Sequence, residues 1–93
     1  MTVGILRLEL FIPESNSLKS KRMCLHSLKA RVRNNFNVAV SQIGDEDKWQ
    51  KATLAIVGAE KDRRKMNSLL SEVVNFIEDS GTVSLITQEM ELI

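Results

Sequence analysis

The stretch Phe36–Gly58, "FNVAVSQIGDEDKWQKATLAIVG", decides the fold. Phe36 to Ile43 reads as a strand with Val38 and Val40 turned toward a core, and Trp49 to Gly58 reads as another. Only the polar turn "GDEDK" separates them, so they form an antiparallel hairpin in the middle of the chain. On the N-terminal side, Ser17 is an N-cap for a helix running to about Asn34 or Asn35. Its buried stripe is Leu18, Leu25, Leu28 and Val32. Before it, residues 2–12 alternate, with Gly4, Leu6, Leu8, Leu10 and Ile12 on one face and Val3, Ile5, Arg7, Glu9 and Phe11 on the other. That period of two is a strand, ended by Pro13 and the loop "PESNS". On the C-terminal side a helix begins near Asp62, with Met66, Leu69, Leu70, Val73, Val74 and Ile77 as its apolar face. "DSG" stops it and "TVSLITQEMELI" supplies a last strand. The order β-α-β-β-α-β predicts an α+β, ferredoxin-like domain spanning residues 1–93, a four-stranded antiparallel sheet with two helices on one face.

Size and composition agree with that reading. Ninety-three residues suit one small two-layer core, and 43% hydrophobic with 27% charged residues is ordinary for a globular chain. The apolar runs are too short to span a bilayer, and "TVGILRLELFI" is broken by Arg7 and Glu9 where a secretory signal needs an unbroken apolar stretch. The expected location is the cytoplasm, away from membranes. One cysteine excludes an internal disulfide. Cys24 and His26, two apart on a helix, point in different directions and cannot chelate one ion. Cys24 reads as a core or boundary residue and His26 as a solvated one; no metal or cofactor is expected.

Charge is distributed unevenly. The chain has 13 lysines and arginines against 12 aspartates and glutamates, but Ser15 to Gly44 holds six bases and no acid. Met66 to Ile93 holds five acids and no base. Such polarity bears on partners. Lys19, Arg22, His26, Lys29 and Arg33 are spaced 3, 4, 3 and 4, so they share an arc of about 80° beside the apolar stripe. Lys21 and Arg31 lie off that line. A second cluster, Arg63, Arg64 and Lys65, opens the second helix, where cations oppose the helix dipole and Asp62 offsets them in part. These nine lysines and arginines are the candidate contacts to RNA phosphates. The plain alternative is a solvated helical face.

Other uses of the fold are less well supported by the residues. The candidate central strands "VGILRLELF" and "QKATLAIVG" have no aromatic residue at their centres, so a base-stacking platform is missing. No GxxG clamp occurs. Acylphosphatases share the element order, but "PESNSLKSKR" lacks their glycine pattern in the loop after the first strand. Glu14 beside Asn16, or the turn acids, are weak acid–base candidates, since turn acids usually shape turns. The protein is therefore read as a binding module and not an enzyme.

The uncovered sheet face supplies a rival reading. Val3, Ile5, Phe11, Ala39, Ala55 and Val57 point outward there, interspersed with Arg7, Glu9, Lys51 and Thr53. A half-apolar face is a candidate surface for a protein-interaction module or a homo-oligomer, a dimer first of all. Trp49 reads as an anchor closing the hairpin against the sheet, or alternatively as an exposed recognition residue.

Three segments together carry a family resemblance: "SLKSKR" (Ser17–Arg22), "FNVAVSQIGDEDKWQKA" (Phe36–Ala52) and "FIEDSGTVSLITQEMELI" (Phe76–Ile93). Over nearly its whole length the chain resembles the YlxP-like proteins, a small bacterial family of unknown function. The resemblance implies a ferredoxin-like fold. It also implies proximity to translation, because the family's genes often sit among those for initiation and ribosome-maturation factors, an association and not a mechanism. RNA or the ribosome is accordingly the expected partner. Two positions depart from the family pattern: Gln42 stands where an acid is expected, and Lys48 stands where an apolar residue is expected before Trp49.

Overall fold

A computed structural model describes residues 1–13 and 15–93. The alternating N-terminal residues form β1 (Thr2–Phe11), with Leu6, Leu8 and Leu10 wholly buried on one face. The chain continues through α1 (Leu18–Asn35), β2 (Ala39–Gly44), β3 (Lys51–Glu60), α2 (Arg63–Asp79) and β4 (Ser84–Leu92). The strands lie in the order β2-β3-β1-β4, and every neighbouring pair is antiparallel. This is the ferredoxin-like arrangement the sequence predicts. Among the described residues, no helix is long and apolar enough to cross a membrane.

Each helix begins where a short polar side chain satisfies a free amide. Ser17 caps α1 by accepting from the Ser20 amide at 3.0 Å, and Asp62 caps α2 by accepting from the Lys65 amide at 2.9 Å. α1 ends when Phe36 turns extended while its amide still reaches the Val32 carbonyl. α2 ends at Ser80, followed by Gly81 at φ 75°, a left-handed position that suits glycine. α1 lies against β2, and α2 lies over β1, β3 and β4. The core between helices and sheet gathers Leu25, Leu28 and Val32 from α1 with Met66, Leu70, Val73 and Ile77 from α2.

Three boundaries differ from expectation. β2 starts at Ala39, because the Val38 amide is already committed to the Phe36 carbonyl at 3.0 Å and joins no ladder. β3 starts at Lys51, so Trp49 lies in the turn, 57% exposed, and anchors nothing. The buried stripe of α1 is Lys21, Leu25, Leu28 and Val32, while Leu18 is only half-buried.

The sheet receives α2 at a pair of glycines. Gly4 and Gly58 stand opposite each other in register, and Met66 rests over both. A methyl group at Gly4 would lie 2.7 Å from Met66 Cγ and 2.8 Å from Leu70 Cδ1. Met66 Cγ, one bond from Cβ, clears only by a change of rotamer in a packed core, so Gly4→Ala forces Met66 and Leu70 to repack or α2 to shift. Chemical denaturation should show a loss of about 1–3 kcal/mol at unchanged m-value, the cost typical of overpacking. An unchanged midpoint would contradict this packing.

Candidate nucleic-acid interface

The predicted basic surface divides into side chains that face solvent and side chains the fold consumes. Lys21 belongs to the second group. It is 1% exposed, and its ammonium donates hydrogen bonds to the carbonyls of Asp45 and Lys48 at the two ends of the β2–β3 turn. It therefore cannot serve as a phosphate contact. Its stem fills the same stripe as Leu25, four residues on. Burial pushes the Lys21 pKa below its usual range, while the nearby carboxylates of Asp45, Asp47 and Glu46 act in the opposite direction.

The turn it grips is internally wired. The Lys48 amide donates to the Asp45 carbonyl at 3.2 Å, and Asp45 sits at φ 63°, a left-handed position that aspartate tolerates. The Asp45 carboxylate accepts from Thr53 Oγ1 at 2.9 Å and pairs with Lys48 at 3.2 Å and Lys51 at 3.8 Å. The Thr53 hydrogen bond, followed by that from Lys48, holds its pKa below the ordinary carboxylate value. Lys51 also pairs with Glu9 at 3.5 Å. Asp45 is thus occupied in shaping the turn. Gln42, at the position where the resemblance leads one to expect an acid, donates through Nε2 to the Gly44 carbonyl at 3.2 Å. It thereby supports the irregularity in β2, a donation that a carboxylate cannot make.

Lys19, Arg22, His26, Lys29 and Arg33 remain along one flank of α1; all are exposed except Lys29, which is half-buried. The Arg33 guanidinium donates to the Val40 carbonyl at 2.7 Å, which fixes this flank on the β2 side of the molecule. Among the described residues, none of the five is in an ion pair. Arg31, two residues from Arg33 and so about 200° around the helix, lies on the opposite flank. It is half-buried, with Nε enclosed and without a hydrogen-bond partner, so its guanidinium does not join the row.

The second cluster is open. Arg63, Arg64 and Lys65 are exposed on the first turn of α2. The Asn37 carbonyl and Val38 stand against Gly58, which Met66 also touches. The end of α1 and the start of α2 therefore meet at one end of the sheet, bringing Arg33 and the second cluster to the same end. Glu14 lies outside the described residues, so the weak acid–base site built on it has no structural counterpart here. Among the described residues, no three or more histidine, cysteine or acidic side chains are grouped to hold a metal ion.

The open sheet face has apolar character at one end only. Ile5 stands beside Val57, which stands beside Ala39, while Val3 stands beside Ala59. Next along come Arg7 and Ala55, with Arg7 paired to Glu89 at 3.7 Å, and then Glu9 paired to Lys51. Phe11 lies beyond these charges, about 20 Å along β1 from Ile5 at the usual strand rise. The six predicted interface residues thus form one patch of five with Phe11 apart from it.

A family model described as "Protein of unknown function (DUF503)" matches residues 3–90. The chain belongs to this family. It is also 36% identical over 76 residues to "Uncharacterized protein YlxP" of Bacillus subtilis, covering 82% of this chain and 83% of the relative. In this DUF503 protein the segment Ser17–Arg22 has a divided physical role: Ser17 caps α1, Lys21 fastens it to the hairpin, and Lys19 and Arg22 face solvent.

Lys21→Met keeps most of the stem volume but removes the donor to two carbonyls. It should destabilise the fold by about 1.5–3 kcal/mol in urea unfolding, the range for a hydrogen bond to a charged group. Arg22→Met, one residue away and exposed, should change stability by no more than about 0.5 kcal/mol. Equal effects at the two positions would contradict the assignment of Lys21 as a structural residue.

Proposed function

We propose that this protein is a non-enzymatic binding module that holds RNA phosphates along the β2-side flank of α1. Lys19, Arg22, Lys29 and Arg33 form the row, and Arg63, Arg64 and Lys65 extend it at the end where the two helices meet. The observation that carries the reading is the alignment of these cations without ion-pair partners among the described residues. From Lys19 to Arg33 the row is about 21 Å long at the helical rise of 1.5 Å per residue. Four lysines and arginines elsewhere are engaged: Arg7, Lys48 and Lys51 in ion pairs and Lys21 in the hairpin. Cations left unpaired in a row suit a backbone polyanion, and phosphate contacts of this kind carry little sequence preference. The centre of the open sheet face offers Arg7, Glu9, Thr53 and Ala55 in place of stacking aromatics, so the helices and not the sheet carry the binding. The proximity to translation implied by the family resemblance makes ribosomal RNA the first polyanion to test.

A second reading, association through the open face, is favoured by the contiguous Val3, Ile5, Ala39, Ala55 and Val57. It accounts for the sheet and leaves the basic row as solvated surface.

Co-sedimentation with small ribosomal subunits and with unrelated RNA across a salt series distinguishes the two. The RNA reading expects binding that weakens as salt rises, and that Lys19→Glu/Arg22→Glu/Lys29→Glu abolishes. Each lost phosphate contact should lower the logarithmic salt slope by about 0.7–0.9. Arg33 is left intact in this variant because it also caps the β2 edge. Absence of binding at low salt would overturn the RNA reading.

A further inference from the structure

The two edges of the sheet are unlike. β2 is six residues long and irregular between Gln42 and Gly44, and the Arg33 guanidinium covers its outward Val40 carbonyl. β4 is nine residues long, none of them fully buried, with neither lysine nor proline to blunt it. Its one irregularity falls opposite Glu9 and Leu10, where Ile86 is the extra residue. A long edge strand of this kind presents unpaired amides and carbonyls to any strand that can join it.

The direction of those groups follows from the ladder. Val3 and Ile93 exchange both backbone hydrogen bonds, at 3.0 and 2.7 Å. By antiparallel alternation Glu91, Glu89 and Thr87 also turn their backbone groups toward β1, while Gln88, Met90 and Leu92 turn theirs outward. Apolar side chains accompany these open groups: Ile86 is 49% and Met90 37% exposed. We infer that β4 pairs antiparallel with β4 of a second copy of this chain, about a two-fold axis through Gln88, to make one continuous eight-stranded sheet.

Charge selects the register. Centring the axis on Gln88 sets that residue against its own copy as a hydrogen-bonded pair and Thr87 opposite Glu89, and brings Met90 of each copy to the bulge at Ile86 of the other. Centring on Glu89 sets that carboxylate against itself at a non-hydrogen-bonded position, where opposing side chains are closest. Centring on Met90 sets Glu89 opposite Glu91 twice. Of these three, only the first avoids facing acids, and it brings the exposed Ile86 and Met90 of the two copies together. The strand thus complements itself, as an isologous interface requires, which is why a second copy and not an unrelated strand is the occupant. The inference is independent of the RNA reading, and it places the two basic rows on the far flanks of the joined sheet.

Sedimentation equilibrium of the full chain is the test, with circular dichroism as the check on folding. The unaltered protein should have the mass of two chains. Ile86→Lys/Met90→Lys should reduce it to one chain with an unchanged spectrum. Gln88→Pro should do the same, since the Gln88 amide points away from β1 and the proline removes no bond within the subunit. Ile5→Lys/Val57→Lys, on the open face, should leave the dimer intact. In a Cys24→Ala background, Gln88→Cys should cross-link to itself on oxidation, because directly opposite residues of a hydrogen-bonded pair have Cα atoms about 5.5 Å apart, within disulfide reach. A single-chain mass at high protein concentration would overturn the inference. So would a dimer that survives the β4 variants, and its loss in Ile5→Lys/Val57→Lys would then assign it to the open face.

Discussion

The Lys21 ammonium, held between the carbonyls of Asp45 and Lys48, is the interaction on which the helix layer depends. A buried cation with no partner is among the most costly features a small core can hold. Here two backbone oxygens receive it, and the acids of the turn bias the local potential in its favour. The contact ties residues 24 and 27 positions apart in the chain, joining the first turn of α1 to the tip of the hairpin. A lysine suits the place because its compact charge can serve two carbonyls from the end of an apolar stem.

The same contact orients the rest of α1. With Lys21, Leu25, Leu28 and Val32 facing the sheet, the row from Lys19 to Arg33 is turned roughly 110° away, at 100° per residue. The Arg33 hydrogen bond to Val40 then fixes which side of the molecule that row occupies. The basic flank is therefore a consequence of how the helix is fastened, and one short segment, Ser17–Arg22, encodes both the fastening and part of the surface. The acids of the turn, which in a linear reading invite an acid–base role, are explained by the same local wiring: Asp45 closes on Thr53, Lys48 and Lys51.

Most of the fold was legible because it rests on period. β1 alternates without a fault from Val3 to Ile12, and the apolar face of α2 repeats cleanly from Met66 to Ile77. The hairpin was legible because so few residues separate its strands. Lys21 was missed because a lysine is by default counted as surface; its spacing to Leu25, Leu28 and Val32 was the available signal, and the neighbouring Leu18 took its place in the stripe. Trp49 was misplaced because its size argued for burial, while the turn that holds it depends on a charge constellation that no periodicity reveals. The open face was read correctly in its alternation, but cross-strand register, which separates Phe11 from the apolar end, is not written in any one strand.

The two sheet edges differ in length and in what covers them. One is shortened, irregular and covered by an arginine from the helix; the other is long and bare, and its backbone is satisfied only on the β1 side. That asymmetry separates the proposed assembly edge from the charged flank, and pairing at that edge would leave the cations exposed. The facing of α1, and with it the basic flank, follows from Lys21 being interior. The most direct test is lysine acylation of the native protein at mildly alkaline pH, mapped by mass spectrometry. Its lowered pKa would make an accessible Lys21 amine react at least as fast as Lys19. Lys19 and Lys29 should be modified early and Lys21 spared until the protein unfolds. Modification of Lys21 at the rate of Lys19 in folded protein would contradict its interior placement.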